Sequence, residues 1–160
     1  MDEFASRFDN KIDAKGRVSI PASFRAVLAK EGAAELYCFP HLDQCTIEAG
    51  GKRLVEKIKG ILAKYSDESP EREELQHLYF GEAEWIKIDA DGRTIISPRL
   101  RNFAGIGDQV VFVGLGEKFQ IWEPSRYETY RREARERVRL ARRELGAGSR
   151  PSGGQQEGAR

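Results

Sequence analysis

The sequence predicts an α+β fold built twice, as two tandem pseudo-symmetric repeats of β-hairpin and helix. Three observations carry that expectation. Lys11 to Pro21, KIDAKGRVSIP, is echoed by Lys87 to Pro98, KIDADGRTIISP, with Asp13 and Asp89 offset by 76 residues. Apolar residues alternate on either side of each motif glycine, as half-buried strands do. Each motif proline then opens a short stretch that reads as helix.

The elements follow in order. In the first repeat, Phe8 to Asp13 and Arg17 to Ile20 read as short strands joined by a tight turn, in which Gly16 supplies the positive φ. Ala22 to Lys30 reads as helix. A second strand pair, Glu35 to Phe39 with Gln44 to Ile47, turns at His41-Leu42-Asp43, and a helix carrying Leu54, Ile58, Ile61, Leu62 and Tyr65 on one face closes the repeat. Ser69-Pro70 starts a bridging helix with Leu75, Leu78 and Tyr79. In the second repeat the hairpin centres on Gly92, and Ser97 caps a helix from Pro98 to Ala104. Gln109 to Val113 pairs with Lys118 to Trp122. Glu123-Pro124 opens the last helix, with a stripe of Tyr127, Tyr130, Ala134, Val138, Ala141 and Leu145, and Glu128/Arg132 and Glu133/Arg137 as i, i+4 pairs. Pro21 and Pro98 lie 77 apart, one more than the aspartates, which predicts a bulge or an altered helix start in the second repeat. The resulting division is a first module at 1–65, a bridging helix at 66–82, a second module with its terminal helix at 83–145, and a disordered tail at 146–160 of Gly, Ser, Gln and Pro.

Composition narrows the function classes. A chain of 160 residues holds one domain, or two small halves that share a core. With 39% hydrophobic and 33% charged residues, it reads as a soluble globular protein, and no apolar run is long enough to span a membrane. No secretory signal opens it, so the expected location is cytoplasmic. A net charge of +1 gives no bulk attraction to nucleic acid; any such partner requires local clustering. Charge is clustered: Ser66 to Asp91 holds nine acids against two bases, and Pro124 to Leu145 eight arginines against four glutamates.

Cys38 and Cys45 form no framework and read as buried thiols. With His41 and His77 they lack the spacing of a zinc site, so neither metal nor cofactor is expected. Gly114-x-Gly116 lacks the rest of a dinucleotide or phosphate-loop motif and reads as a turn. The Asp/Arg pairs come with no histidine or nucleophile in either copy, so an enzyme is not expected and no small-molecule substrate is implied.

What remains is the repeated Asp-x-x-x-Arg. A tight turn brings the carboxylate back to the guanidinium and fixes its direction through a charge-assisted hydrogen bond. A lone copy is a structural turn. Two copies at matching positions present two similar tips. Asp-Ala-Lys-Gly-Arg-Val-Ser-Ile-Pro at Asp13 to Pro21 with Phe24-Arg25, and Asp-Ala-Asp-Gly-Arg-Thr-Ile-Ile-Ser-Pro at Asp89 to Pro98 with Leu100-Arg101, resemble the MraZ family of bacterial transcriptional regulators, related to AbrB-type DNA-binding proteins. The resemblance covers about Met1 to Leu145.

It implies a swapped-hairpin, AbrB-like β-barrel with flanking helices. It also implies a nucleoid-associated homo-oligomeric ring that binds double-stranded DNA at short repeated G-rich boxes in its own promoter and controls the division and cell-wall gene cluster. By the same resemblance, Asp13, Arg17, Asp89 and Arg93 lie near the DNA-contacting surface, with Lys15 in the first loop where a base is expected. Asp91 replaces that base in the second loop, so the two loops are expected to contribute unequally. Arg17 suits readout of a guanine edge and Lys15 suits phosphate positioning. The alternative is a ring-forming adaptor that binds protein through its acidic midsection and reads no base.

Overall fold

The computed structural model of the chain describes residues 2–155. Met1–Pro124 is one compact unit, and Ser125 onward is another.

In the first unit, the strands are β1 (Arg7–Lys11), β2 (Arg17–Ser19), β3 (Glu35–Pro40), β4 (Ile47–Gly50), β5 (Glu84–Lys87), β6 (Arg93–Ile95), β7 (Gln109–Gly114) and β8 (Phe119–Trp122). The helices are α1 (Ala22–Lys30), α2 (Lys52–Leu62), α3 (Pro70–Gln76) and α4 (Pro98–Ala104), with a π-helical turn at His77–Gly81. Six strands form an antiparallel sheet in the order β1-β7-β8-β4-β3-β5, and β2 and β6 form a separate ladder. Exchanging the repeats, β1 for β5, β3 for β7 and β4 for β8, reverses this order onto itself. The sheet therefore has a pseudo-twofold between β4 and β8.

Two expectations change at this point. The motif strands do not pair with each other along their length: β1 pairs with β7 and β5 with β3, so each arm lies in the other repeat's sheet, while β2 pairs with β6. The hairpin survives only at its neck, where Asp13 N–H donates to Arg17 O at 2.8 Å and Asp89 N–H to Arg93 O at 2.9 Å. Three-residue strands satisfy too few backbone groups alone, and the exchange supplies their partners. The sheet is also open, with β1 and β5 at its edges, where the expected barrel would be closed.

The shift between prolines resolves as an altered helix start. Ala22 and Pro98 both begin their helices and keep the offset of 76, so Pro21 takes the cap position and Pro98 the first helical one. Ser97, which aligns with Pro21, caps α4 by accepting from Leu100 N–H at 3.2 Å. Strand β4 begins at Ile47, later than the sequence pattern suggests, because His41 Nδ1 accepts from the Asp43 and Gln44 amides at 3.0 Å and holds that segment in the turn. Cys45 is therefore exposed, whereas Cys38 on β3 is buried.

One core joins both repeats. Phe24 of α1 is completely buried and meets Phe4, Phe8, Phe112 and Phe119 at centroid distances of 4.8 to 6.4 Å. Leu36 and Cys38 of β3 face this core, while Tyr37 and Phe39 face a second one with Leu54, Ile58, Leu62 and Tyr79. Burial of each such side chain stabilises the fold by about 1.5–3 kcal/mol. Tyr65, expected on the apolar face of α2, is exposed beyond its end.

The second unit is formed by α5 (Pro124–Gln155) from Ser125 onward, and its ion pairs include Glu128 with Arg131 and Glu136 with Arg139 at i, i+3. Val138 and Leu145 of its apolar stripe are exposed. Of the expected tail at 146–160, the last residues, 156–160, lie outside the described residues. No helix among the described residues is long and apolar enough to cross a membrane.

Candidate functional site

The repeated motif makes two nearly identical turns. In each, the glycine amide donates to the aspartate carbonyl, Gly16 to Asp13 at 2.9 Å and Gly92 to Asp89 at 3.0 Å. The glycines sit at φ +84° and +79°, in the left-handed region that closes a three-residue hairpin loop. Asp13 Oδ1 accepts the Lys15 and Arg17 amides at 2.9 Å, and its Oδ2 accepts Arg17 Nε at 2.8 Å. Asp89 repeats this with the Asp91 and Arg93 amides at 2.9 Å and Arg93 Nε at 3.3 Å. The backbone amides of Arg17 and Arg93, more than their guanidiniums, hold the two carboxyls below the ordinary carboxylate range. Each aspartate thus stays ionised and orients its arginine.

Ladder register brings the turns together. Arg17 lies opposite Ile95, Val18 opposite Thr94, and Ser19 opposite Arg93. Val18 and Thr94 are buried, so the opposite face of the ladder presents Arg17, Ser19, Arg93 and Ile95 outward. Arg17 and Arg93 keep 31% and 30% of their side chains exposed, and Ile95 is 55% exposed. Two hydrogen bonds support the ladder from behind, Asn10 Nδ2 to Ser19 O at 2.7 Å and Thr94 Oγ1 to Lys87 O at 2.9 Å.

The two guanidiniums differ in what they leave free. Among the described residues, the Arg17 guanidinium bonds through Nε alone, and neither terminal nitrogen has a partner. Arg93 also gives Nη2 to Asp91 Oδ2 at 3.1 Å. All five residues expected at the site, Asp13, Lys15, Arg17, Asp89 and Arg93, therefore belong to the two turns of one ladder, and Lys15 is exposed beside Gly16.

Comparison with known proteins decides the lineage. A protein named "Transcriptional regulator MraZ" from Azorhizobium caulinodans is 48% identical over 149 residues, covering 93% of this chain and 95% of its own. The chain belongs to the MraZ family. A second member of the family, from Xanthobacter autotrophicus and of the same name, is 49% identical over 92% of this chain and 94% of its own. A third, from Parvibaculum lavamentivorans, is 43% identical over 96% and 98%. The family model described as "MraZ protein, putative antitoxin-like" matches residues 79–145, which contain β5 to β8 with the second turn, α4 and the larger part of α5.

Sequence reasoning missed two neighbours of the site. Ile95 shares the outward face, which the period-2 alternation from Arg93 through Thr94 could have revealed. Arg25 lies against the second turn through contacts across the repeats, and no local spacing encodes that. No group of residues suited to a metal ion occurs among the described residues.

Proposed function

We propose that this protein is a DNA-binding transcriptional regulator whose outward ladder face enters the major groove. The carrying observation is Arg17: anchored through Nε on Asp13, it offers two free terminal nitrogens from a two-stranded ribbon. That ribbon is one of the shapes the major groove admits, and a guanidinium matches the O6 and N7 acceptors of guanine. The names of the three relatives supply the regulatory context. A regulator class also accounts for the Asp/Arg turns without any catalytic role.

Arg17 reads a guanine edge, Lys15 neutralises phosphate, and the carboxylates of Asp13 and Asp89 aim the arginines at the DNA-contacting surface. The sites are short G-rich boxes repeated in the protein's own promoter, upstream of a division and cell-wall gene cluster. One ladder makes too few contacts for genomic selectivity. A homo-oligomeric ring places several ladders on successive boxes and gains from effective concentration. The protein acts in the cytoplasm on the nucleoid.

The test is a mobility-shift titration of the full chain on the duplex upstream of its own gene and on a scrambled duplex, with size-exclusion mass measured alongside. Preferential binding that weakens steeply with salt is expected. Assembly without preference for either duplex would replace this reading with the adaptor.

A further inference from the structure

The two tips share a backbone and differ in charge. Lys15 flanks Gly16 in the first. In the second, Asp91 occupies that place, is 75% exposed, and takes one terminal nitrogen of Arg93. By its own residues, the second tip presents an acid where a phosphate would approach.

A cation reaches it from the other repeat. Arg25, near the start of α1, donates Nε to Ile20 O at 3.0 Å, and its guanidinium lies against Gly92. A methyl group placed on Gly92 would stand 2.6 Å from Arg25 Cζ and Nε, so the contact exists because the residue has no side chain. Ile20 N–H donates to Gly92 O at 2.9 Å, which ties the arginine's anchor and the turn to one strand end. Arg25 is exposed, and among the described residues neither of its terminal nitrogens has a partner.

The arrangement is one-sided. Arg101, which aligns with Arg25, gives Nη2 to Gly107 O, and the nearest atom to a methyl on Gly16 is Ile95 Cγ2 at 4.0 Å. The second tip thus receives an arginine that the first does not.

We infer that Arg25 is the phosphate-binding cation of the second tip, contributed by the first repeat in place of the lysine that Asp91 supplants. The inference rests on the DNA-binding reading above. With Nε held by Ile20, the two terminal nitrogens, unpartnered among the described residues, form a fork that matches a pair of phosphate oxygens.

The test uses the full chain and a labelled duplex from upstream of its own gene, with affinity followed by fluorescence anisotropy across a salt series. Arg25→Gln keeps a donor for Ile20 O and loses the charge. It should bind several-fold more weakly, with a log–log salt slope shallower by about one, and Arg25→Lys should restore the slope. Adding Asp91→Lys to Arg25→Gln should recover affinity. A second measurement needs no variant: phenylglyoxal modification of the parent protein, read by mass spectrometry, should be slower at Arg25 when the duplex is bound. If Arg25→Gln matches the parent in affinity and slope while Arg17→Ala still loses binding, the role of Arg25 is refuted and the DNA-binding reading stands. Unaltered Arg25 labelling with bound duplex is equally fatal to it. If Arg17→Ala also binds as the parent does, the DNA-binding reading itself falls.

Discussion

Arg17 and Arg93 stand on one face of the β2–β6 ladder, diagonal to each other, because Arg17 pairs with Ile95 and Arg93 with Ser19. Exchanging the repeats turns the first pair into the second. What the backbone repeats, the side chains do not: Asp91 draws off one Arg93 nitrogen, and among the described residues nothing equivalent restrains Arg17. A pseudo-symmetric frame therefore carries two unequal reading heads.

That inequality predicts unequal losses. Arg17→Ala should weaken binding to the upstream duplex by about 1–3 kcal/mol, the value of a bidentate arginine–guanine pair, or roughly fivefold to 150-fold. Arg93→Ala should cost several-fold at most, and Asp91→Ala should tighten binding by releasing Arg93 Nη2. Mobility-shift titrations at one salt concentration check all three, and equal losses for the two arginines would contradict the unequal-heads account.

The turn carboxylates predict a pH response. Asp13 and Asp89 have folded pKa values below their ordinary 3.8, because backbone amides bond the ionised form. Their stabilisation is present above that ordinary value and is lost as pH falls through the lower folded one. The melting temperature should therefore drop from pH 5 toward pH 3. In Asp13→Asn with Asp89→Asn the drop should be shallower and the melting temperature at pH 7 lower. Calorimetry across that range measures both, and a parallel decline in parent and variant would remove the turns from the acid response.

Much of this was legible in the residues because the repeat is legible. Gly16 and Gly92 marked the turns, Pro21, Pro98 and Ser97 marked the starts of the helices Ala22–Lys30 and Pro98–Ala104, and the Asp/Arg spacing marked the carboxylate–guanidinium pairs. Partner choice was hidden. Nothing local to Phe8 or Trp85 tells a strand whether to pair with its own neck or with the other repeat, since both faces of the choice satisfy the same alternation. Cys45 was misplaced for a related reason, because His41 lengthens the turn through a side-chain acceptor that hydrophobic pattern does not register. Arg25 depends on the cross-repeat contact and is invisible without it.

Gly92 and Gly16 should separate conformational strain from crowding. Both have positive φ, so alanine at either costs roughly 1–2 kcal/mol for the left-handed backbone. At Gly16 the added methyl meets only Ile95 at 4.0 Å, whereas at Gly92 it displaces the Arg25 guanidinium. Gly92→Ala should accordingly melt lower than Gly16→Ala and also lose affinity for the upstream duplex. Denaturant titration ranks the pair, and equal destabilisation would mean that Arg25 swings away at no cost.

Phe24 tests whether the repeats fold as one body. It comes from α1 in the first repeat and packs against Phe112 and Phe119 in the second, with no exposed surface. Phe24→Ala removes that bridge and leaves a cavity, at a cost of about 3–5 kcal/mol. Because each repeat's edge strand lies in the other's sheet, neither half keeps its ladder when the shared core opens. Unfolding of the β-rich unit should remain a single transition in both parent and variant, followed by near-ultraviolet circular dichroism and tryptophan fluorescence. Trp85 on β5 and Trp122 on β8 should report the same midpoint, and two separated midpoints would mean that the repeats are stable apart.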